Sequence, residues 1–361
     1  MTEAIINLCA YRQNLSMLTA SVAPSALMAV VKANAYGHGL LPIANAAIEC
    51  GIRWLGTVDI STALELRAAG IGAPTSIFAW QFTPREDYRA AIEANVDLGI
   101  STLNQLEQIA QARAGVPARL HLKIDTGLHR NGALASEWPQ LVRRALELER
   151  AGTAIVYAVW THIAEASDDD DSVAIARFHE AVGVATSLGA HVRLLHLAAS
   201  AAGLARTDSR FDLVRMGAFG YGISPGSGVT PAQLGLVPVM TLASETVVGV
   251  DGEVFVPIGY GDGISSRASG VVDLLVNGTL QPVEEVKFDR ITLRDKSVPS
   301  GAEVILFGTG SRGEWTLQQW ADSTGTIGEE IVNRLGRHIR RRYVGGSGTA
   351  SSEKRQSTRE L

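Results

Sequence analysis

The chain is predicted to be an α/β protein: an N-terminal (β/α)8 TIM barrel followed by a smaller C-terminal all-β domain. Three observations predict it. From residue 27 to about 220, short apolar, β-branched runs alternate with longer segments of helical period, the pattern of βα units in a parallel sheet. The runs number eight, which favours a closed barrel over an open doubly wound sheet. After Pro225 the texture changes to strand-like runs joined by Gly and Asn turns. A length of 361 residues has room for a barrel and a second core.

The eight runs are 27–31, 53–58, 75–80, 96–100, 120–124, 155–160, 192–197 and 213–216. Between them lie amphipathic stretches such as ISTALELRAAG (60–70), where Ser61 or Thr62 can cap the start and Gly70 can end the helix. In the second domain, 237–250, 253–258, 271–276, 286–293 and 303–307 read as strands. The final stretch, GGSGTASSEKRQS and beyond, is small and polar and cannot bury enough apolar area to offset its ordering. Residues 1–230 are expected to form the barrel, 231–344 the β domain and 345–361 a disordered tail.

Composition narrows the function classes. Hydrophobic residues make up 46% and charged residues 19%, an ordinary balance for a soluble enzyme. A net charge of −5, without a basic stretch before the tail, offers no footprint for nucleic acid. No basic region followed by an apolar run opens the chain, and no 18-residue apolar stretch occurs, so no membrane association is expected and the location expected is cytoplasmic. Cys9 and Cys50 are too few and too unpatterned for a disulfide framework or a metal site, in keeping with a reducing compartment.

The segment LMAVVKANAYGHG (27–39) ends an apolar run with a lysine and opens into a loop of small residues. Only five of the 32 basic residues are lysines, so this composition does not choose lysine for charge alone. An amine at the mouth of an apolar strand is partly desolvated, which lowers its pKa and frees a lone pair to attack a carbonyl. The aldehyde of pyridoxal phosphate is the carbonyl that suits it. Taken alone, the same segment also reads as a lysine snorkelling from a strand end.

Barrel active sites lie at the C-terminal ends of the strands. There the runs place Lys32, KIDTGLHR (123–130), Trp160-Thr161-His162, HLAAS (196–200) and RMG (215–217). Residues from five strands would converge on one pocket, although His162 or His196 alone reads equally well as a satisfied core histidine. Ser200 and Gly217 follow the seventh and eighth runs, the usual barrel position for a phosphate. In the second domain, PIGYGDGI (257–264) runs into a glycine loop that projects Tyr260. A phenol is a poor base unless nearby cations lower its pKa, and the segment alone also fits a tight turn with a packing tyrosine.

Two patterns are decoys. GTGSRG (308–313) fits the dinucleotide fingerprint, but no βαβ pattern follows it. Asp168 to Asp171 form a run of four carboxylates in what reads as a polar loop, without the interleaved ligands or glycine turn of a calcium loop, and are read as solvated surface.

With these residues in view, the sequence resembles the alanine racemases, pyridoxal-phosphate enzymes of fold type III in which a barrel precedes a β domain. The resemblance spans about residues 4–343 and rests on VKANAYGHG (31–39), KIDTGLHRNG (123–132), RMGAFGYG (215–222) and GYGDG (259–263). It implies that Lys32 carries the cofactor and is the base on the D-face of the substrate. Tyr260, from the other subunit of a homodimer, would be the base on the L-face. Two bases on opposite faces are what racemisation requires, since a proton must leave one side of Cα and arrive on the other. Arg215 would face the pyridine nitrogen, His162 would link Tyr260 to Arg215, and His196 would stand behind Arg215. Tyr36, Ser200, Gly217 and Ala218 match phosphate-binding positions. Arg130 matches the arginine near the cofactor's phenolic oxygen and the substrate carboxylate, and Lys123 a lysine that is carbamylated in many members.

The sequence departs from the family pattern in four places. Ala199 replaces an asparagine, Phe288 a substrate-contacting methionine, and Asn333 the phosphate-binding tyrosine near the C-terminus, while the loop after Tyr260 reads GDGISSR instead of ADGY with a following proline and arginine. The function expected is a two-base interconversion of L- and D-alanine. The alternatives are a racemase of another small amino acid such as serine in specialised metabolism, and a decarboxylase or aldolase of the same fold type. Tyr260 and Arg215 speak against the latter, because decarboxylation needs no second base and strengthens its electron sink with a carboxylate at the ring nitrogen. A cofactor-binding homeostasis protein would be a barrel without a β domain.

Overall fold

The computed structural model describes residues 1–346 apart from 84, 113, 165, 166 and 227; from residue 347 on, the expected disordered tail lies outside the described residues. The first strand, β1 (Glu3–Asn7), precedes a parallel sheet of β2 (Ala26–Val30), β3 (Trp54–Gly56), β4 (Ser76–Ala79), β5 (Val96–Ile100), β6 (Ala118–Lys123), β7 (Ala154–Trp160), β8 (Leu194–His196) and β9 (Leu213–Met216). Neighbours run in the order β8-β7-β6-β5-β4-β3-β2-β9. Backbone bonds from Asp212 N to Leu195 O (3.0 Å) and Arg215 N to Ala198 O (3.1 Å) tie β9 to the β8 side, so the sheet closes into a barrel. Each of the eight predicted runs overlaps one of the strands β2 to β9, matching β5 and β9 and differing from the others at one or both ends.

Inside the barrel Met28, Phe78, Trp160 and Leu213 form a core cluster of their own, apart from the larger one between the strands and the outer helices. Residues of β6 at alternate positions share a face because a strand has a period of two. Arg119, His121 and Lys123 therefore lie on one face: His121 stacks on Phe78 (4.5 Å between centroids) and Lys123 Nζ stands 4.4 Å from the Trp160 ring centre. The barrel interior thus carries polar groups packed among aromatic rings, above which the strand ends form the cleft described below.

Two local expectations are corrected. The helix Ile60–Ala68 is capped by Asp59, whose carboxylate accepts from Thr62 N at 2.7 Å, and not by Ser61 or Thr62. The aspartates 168–171 open the helix Asp168–Ser187 instead of lying in a loop. Ser167 caps this helix, and the carboxylates lie where the helix dipole favours negative charge.

The second sheet contains β10 (Met240–Glu245), β11 (Val247–Val248), β12 (Val254–Val256), β13 (Asp273–Val276), β14 (Thr279–Val286), β15 (Ile291–Leu293), β16 (Glu303–Phe307) and β17 (Arg340–Val344). Its order is β11-β12-β15-β14-β13-β16-β10-β1-β17, so the N-terminal strand completes the C-terminal sheet, antiparallel to β10 and parallel to β17. A five-residue run at the start of the chain carries no sign of so distant a partner. The expected strand 286–293 is instead the end of β14, a turn and β15. Phe288 sits in that turn, 65% exposed. The domain also carries two short helices, Leu317–Thr324 and Gly328–Arg334, the first anchored by buried Trp320, whose Nε1 donates to Leu306 O at 2.7 Å. In the 308–313 loop the amides of Gly310 and Arg312 donate to the Glu314 carboxylate (2.8 and 2.9 Å), so this turn is built around its own side chain.

Candidate active site

Lys32 leaves β2 into a left-handed turn: Ala33, Asn34, Ala35 and Tyr36 all have φ between 52° and 54°. An L-residue there is disfavoured by about 1–2 kcal/mol, so four in succession require firm support. The support is visible. Asn34 Oδ1 accepts from Leu40 N (2.9 Å), the buried His38 ring bonds the carbonyl of Tyr36 (2.8 Å), and Arg341 of β17 donates to Gly37 O (3.1 Å). A Cβ at Gly37 would strike the Val332 carbonyl and one at Gly39 the Tyr343 hydroxyl, which accounts for both glycines. The turn brings Lys32 and Tyr36 to the same cleft, with Lys32 Nζ 5.4 Å from the Tyr36 ring centre.

Burial, and then the Arg130 charge, lower the Lys32 pKa. Burial pushes the Tyr36 phenol well above its ordinary value, so that hydroxyl stays protonated and available as a donor. Beside it Gly217 N donates to Ser200 Oγ (3.1 Å), and a Cβ at Gly217 would collide with the Tyr36 hydroxyl. Tyr36, Ser200 and Gly217 therefore form one small cup of donors at the ends of β2, β8 and β9.

Arg215 is buried and held from several sides. Nη2 donates to Thr161 O (2.9 Å), Leu197 O (2.8 Å) and His162 Nδ1 (3.1 Å), and Nη1 donates to His196 Nδ1 (3.0 Å). Since a guanidinium only donates, both histidines accept at Nδ1 and carry their proton at Nε2. Burial and then Arg215 hold both imidazoles neutral, His162 down to about 2 and His196 well below its ordinary value. His196 Nε2 then donates to His121 Nδ1 (3.0 Å), and His121 Nε2 to Asp97 Oδ2 (3.2 Å), an oxygen that Arg119 also meets at 3.0 Å. A hydrogen-bonded line with one sense runs from Arg215 through the barrel interior to Asp97. It fixes the orientation of the guanidinium and both tautomers.

One cleft of about 270 Å³ is lined by Lys32, Tyr36, Arg130, His162, Ser200, Arg215, Gly217 and Ala218, with Trp80 and Trp160 as apolar walls. Five residues singled out from the sequence do not line it, each for a visible reason. His196 lies behind Arg215, fully buried. Lys123 is buried against Trp160 with its amine on Asn131, and burial followed by the Arg215 charge lowers its pKa to about 7. Tyr260 and Phe288 stand on the C-terminal domain, ring centres 5.5 Å apart in an edge-to-face pair; Tyr260 is 53% exposed. Asn333 is the fifth case and a correction: it is exposed near Gly37, while Glu329, in the first turn of the same helix, is the residue that lines the cleft.

The chain matches two family models, "Alanine racemase, N-terminal domain" over residues 6–225 and "Alanine racemase, C-terminal domain" over residues 242–343. The chain belongs to the alanine racemase family. It is 42% identical to an alanine racemase of Frankia casuarinae, covering 94% of this chain and 96% of that protein, and 40% identical to one of Thermobifida fusca, covering 95% and 98%. The solved alanine racemase of Streptomyces coelicolor superposes with a TM-score of 0.90 at 40% identity, covering 96% of this chain and 98% of that one. A structure from a D-cycloserine-producing Streptomyces lavendulae gives a TM-score of 0.90 at 39% identity.

For a member of the alanine racemase family the cleft has the parts a phosphorylated aldehyde needs: an amine of lowered pKa, a donor cup where backbone can approach closely, and a fixed cation. Gly217→Ala tests the cup. The added methyl displaces the Tyr36 hydroxyl, and the expected result is weaker retention of pyridoxal phosphate, about tenfold for a lost charge-assisted hydrogen bond, read by dialysis and absorbance. Unchanged retention would contradict the role given to the cup. Sequence reasoning missed Glu329, Trp80, His121 and Asp97. For His121 a signal existed: it lies two residues before Lys123, on the same strand face.

Proposed function

We propose that this protein interconverts L- and D-alanine using pyridoxal phosphate carried on Lys32. The convergence of Lys32, the Tyr36–Ser200–Gly217 cup and the fixed Arg215 on one cleft carries the reading. When bound, the cofactor would supply an electron sink for the pair left on Cα as its proton departs. The phosphate would meet the Tyr36 and Ser200 hydroxyls and the amides of Gly217 and Ala218. Arg215 would face the ring nitrogen, and a guanidinium that does not deprotonate would leave that nitrogen without a proton, limiting side reactions. Arg130 would bind the substrate carboxylate.

Lys32 would take or return the proton on the D-face of Cα and Tyr260 on the L-face. Tyr260 stands outside the cleft of its own chain and is half exposed, so the reading includes a homodimer in which each cleft receives Tyr260 from the partner. His162, neutral and holding its proton on Nε2, would then hydrogen-bond the phenol and pass on the influence of Arg215. Phe288, paired with Tyr260, would narrow the entrance and favour a small side chain on the substrate.

Lys123 would act through Arg130. With its pKa at about 7 the amine is largely neutral in mildly alkaline solution, and its nitrogen can attack carbon dioxide, forming an N–C bond and releasing a proton. The resulting anion would hold Arg130 in place. Isotope-labelled carbon dioxide is expected to give a carbamate resonance that is absent from Lys123→Ala; a spectrum without it in the parent protein rules this role out.

The direct test is incubation of the purified protein and pyridoxal phosphate with single L-amino acids, followed by chiral chromatography. D-Alanine should accumulate until the enantiomers are equal. Accumulation of D-serine in preference to D-alanine, or of an amine, would replace the reading. No helix among the described residues is long and apolar enough to cross a membrane, and no membrane partner enters the proposal.

A further inference from the structure

Among the described residues Glu329 is the only acidic side chain that lines the cleft, and it comes from the C-terminal domain. The left-handed turn sets it there. Gly37 packs on the Val332 carbonyl, so the helix Gly328–Arg334 lies against the loop that carries Lys32 and Tyr36. The Glu329 charge is felt at both: it raises the Tyr36 pKa after burial has done so, and it opposes the lowering of the Lys32 pKa. Glu329 lines the same cleft as Tyr36, whose hydroxyl overhangs Gly217 beside Ser200. That cup offers donors suited to an anion, and a phosphate monoester carries about −1.5 to −2 charge near neutral pH. A carboxylate lining the same cleft repels such an anion, and because Glu329 is only half-buried that repulsion is open to screening by salt.

We propose that Glu329 is a specificity-determining residue that acts against the cofactor's phosphate: it weakens binding of the phosphorylated aldehyde relative to the unphosphorylated one and so makes the cofactor readily exchangeable. The proposal rests on the reading above that the aldehyde joins Lys32 with its phosphate in the Tyr36–Ser200–Gly217 cup. Its physical content is a charge, not a shape. Glu329→Asp keeps the charge, Glu329→Gln keeps the size and removes the charge, and Glu329→Tyr replaces it with a donor.

The experiment loads each protein with pyridoxal phosphate or with pyridoxal and follows release from the loaded protein by loss of the lysine–aldehyde absorbance on dilution, at low and high salt. Glu329→Gln is expected to hold pyridoxal phosphate about tenfold tighter than the parent while pyridoxal changes by less than about twofold. Glu329→Tyr should tighten at least as much, and Glu329→Asp should resemble the parent. The advantage of Glu329→Gln should shrink as salt rises, which a purely structural effect would not do. Equal tightening of both aldehydes, or none, or a salt-independent difference, would overturn the proposal while leaving the cofactor reading intact. If neither aldehyde gives an absorbance that maps to Lys32, the cofactor reading itself fails and the proposal falls with it.

Discussion

Lys32→Ala is expected to abolish racemisation and to leave the protein without covalently held cofactor. In the proposed reading Lys32 combines two tasks, cofactor attachment and base: among the described residues it is the only lysine lining the cleft, and burial lowers its pKa. Loss of a positioned base alone lowers a rate by about 10²–10⁴-fold, and loss of the attachment point adds to it. The check is borohydride reduction of the parent and the variant followed by peptide mapping. The parent should carry the pyridoxyl label on Lys32 and the variant none. A label on Lys123, whose pKa is also lowered, would move the site to the barrel interior and overturn the assignment.

Tyr260→Phe is expected to lower racemisation by about 10²–10⁴-fold while sparing half of the chemistry. With Lys32 intact, D-alanine should still exchange its α-proton with deuterated solvent, without inversion, and L-alanine should not exchange. Proton NMR of each enantiomer separates the cases. Within its own chain Tyr260 is half exposed and makes its ring contact with Phe288, so removing its hydroxyl takes nothing from the packing of that chain, and the variant should fold like the parent. If Tyr260→Phe still racemises, the second base lies elsewhere.

Much of this molecule is legible in its sequence because the barrel strands are continuous apolar runs that end in polar residues. Lys32, His162, Ser200, Arg215 and Gly217 all sit at strand ends, and the βα alternation alone sends them to one side of the barrel. What was hidden depends on contacts between distant segments. β1 joins the C-terminal sheet through pairing with β10 and β17, which no local period announces. Asn333 and Glu329 are four residues apart on one helix, so a small alignment error exchanges an exposed amide for a carboxylate inside the cleft. The left-handed turn after Lys32 was equally invisible: the segment reads only as a loop of small residues, and the contacts of Arg341, Gly37 and Gly39 hold it at positive φ. The line from Arg215 to Asp97 could be seen only once β5, β6, β8 and β9 were neighbours around one interior.

The central claim is that each working site takes Lys32 from one chain and Tyr260 from another, and mixing two inactive variants tests it most directly. Lys32→Ala and Tyr260→Phe, each inactive in racemisation, are combined under conditions that allow subunits to exchange, and hybrid dimers are counted by native mass spectrometry. In a hybrid one cleft pairs an intact Lys32 with an intact Tyr260 and the other lacks both. Racemisation should therefore return to about half of the parent activity per hybrid dimer. Hybrids confirmed by mass that remain inactive would show that both bases come from a single chain.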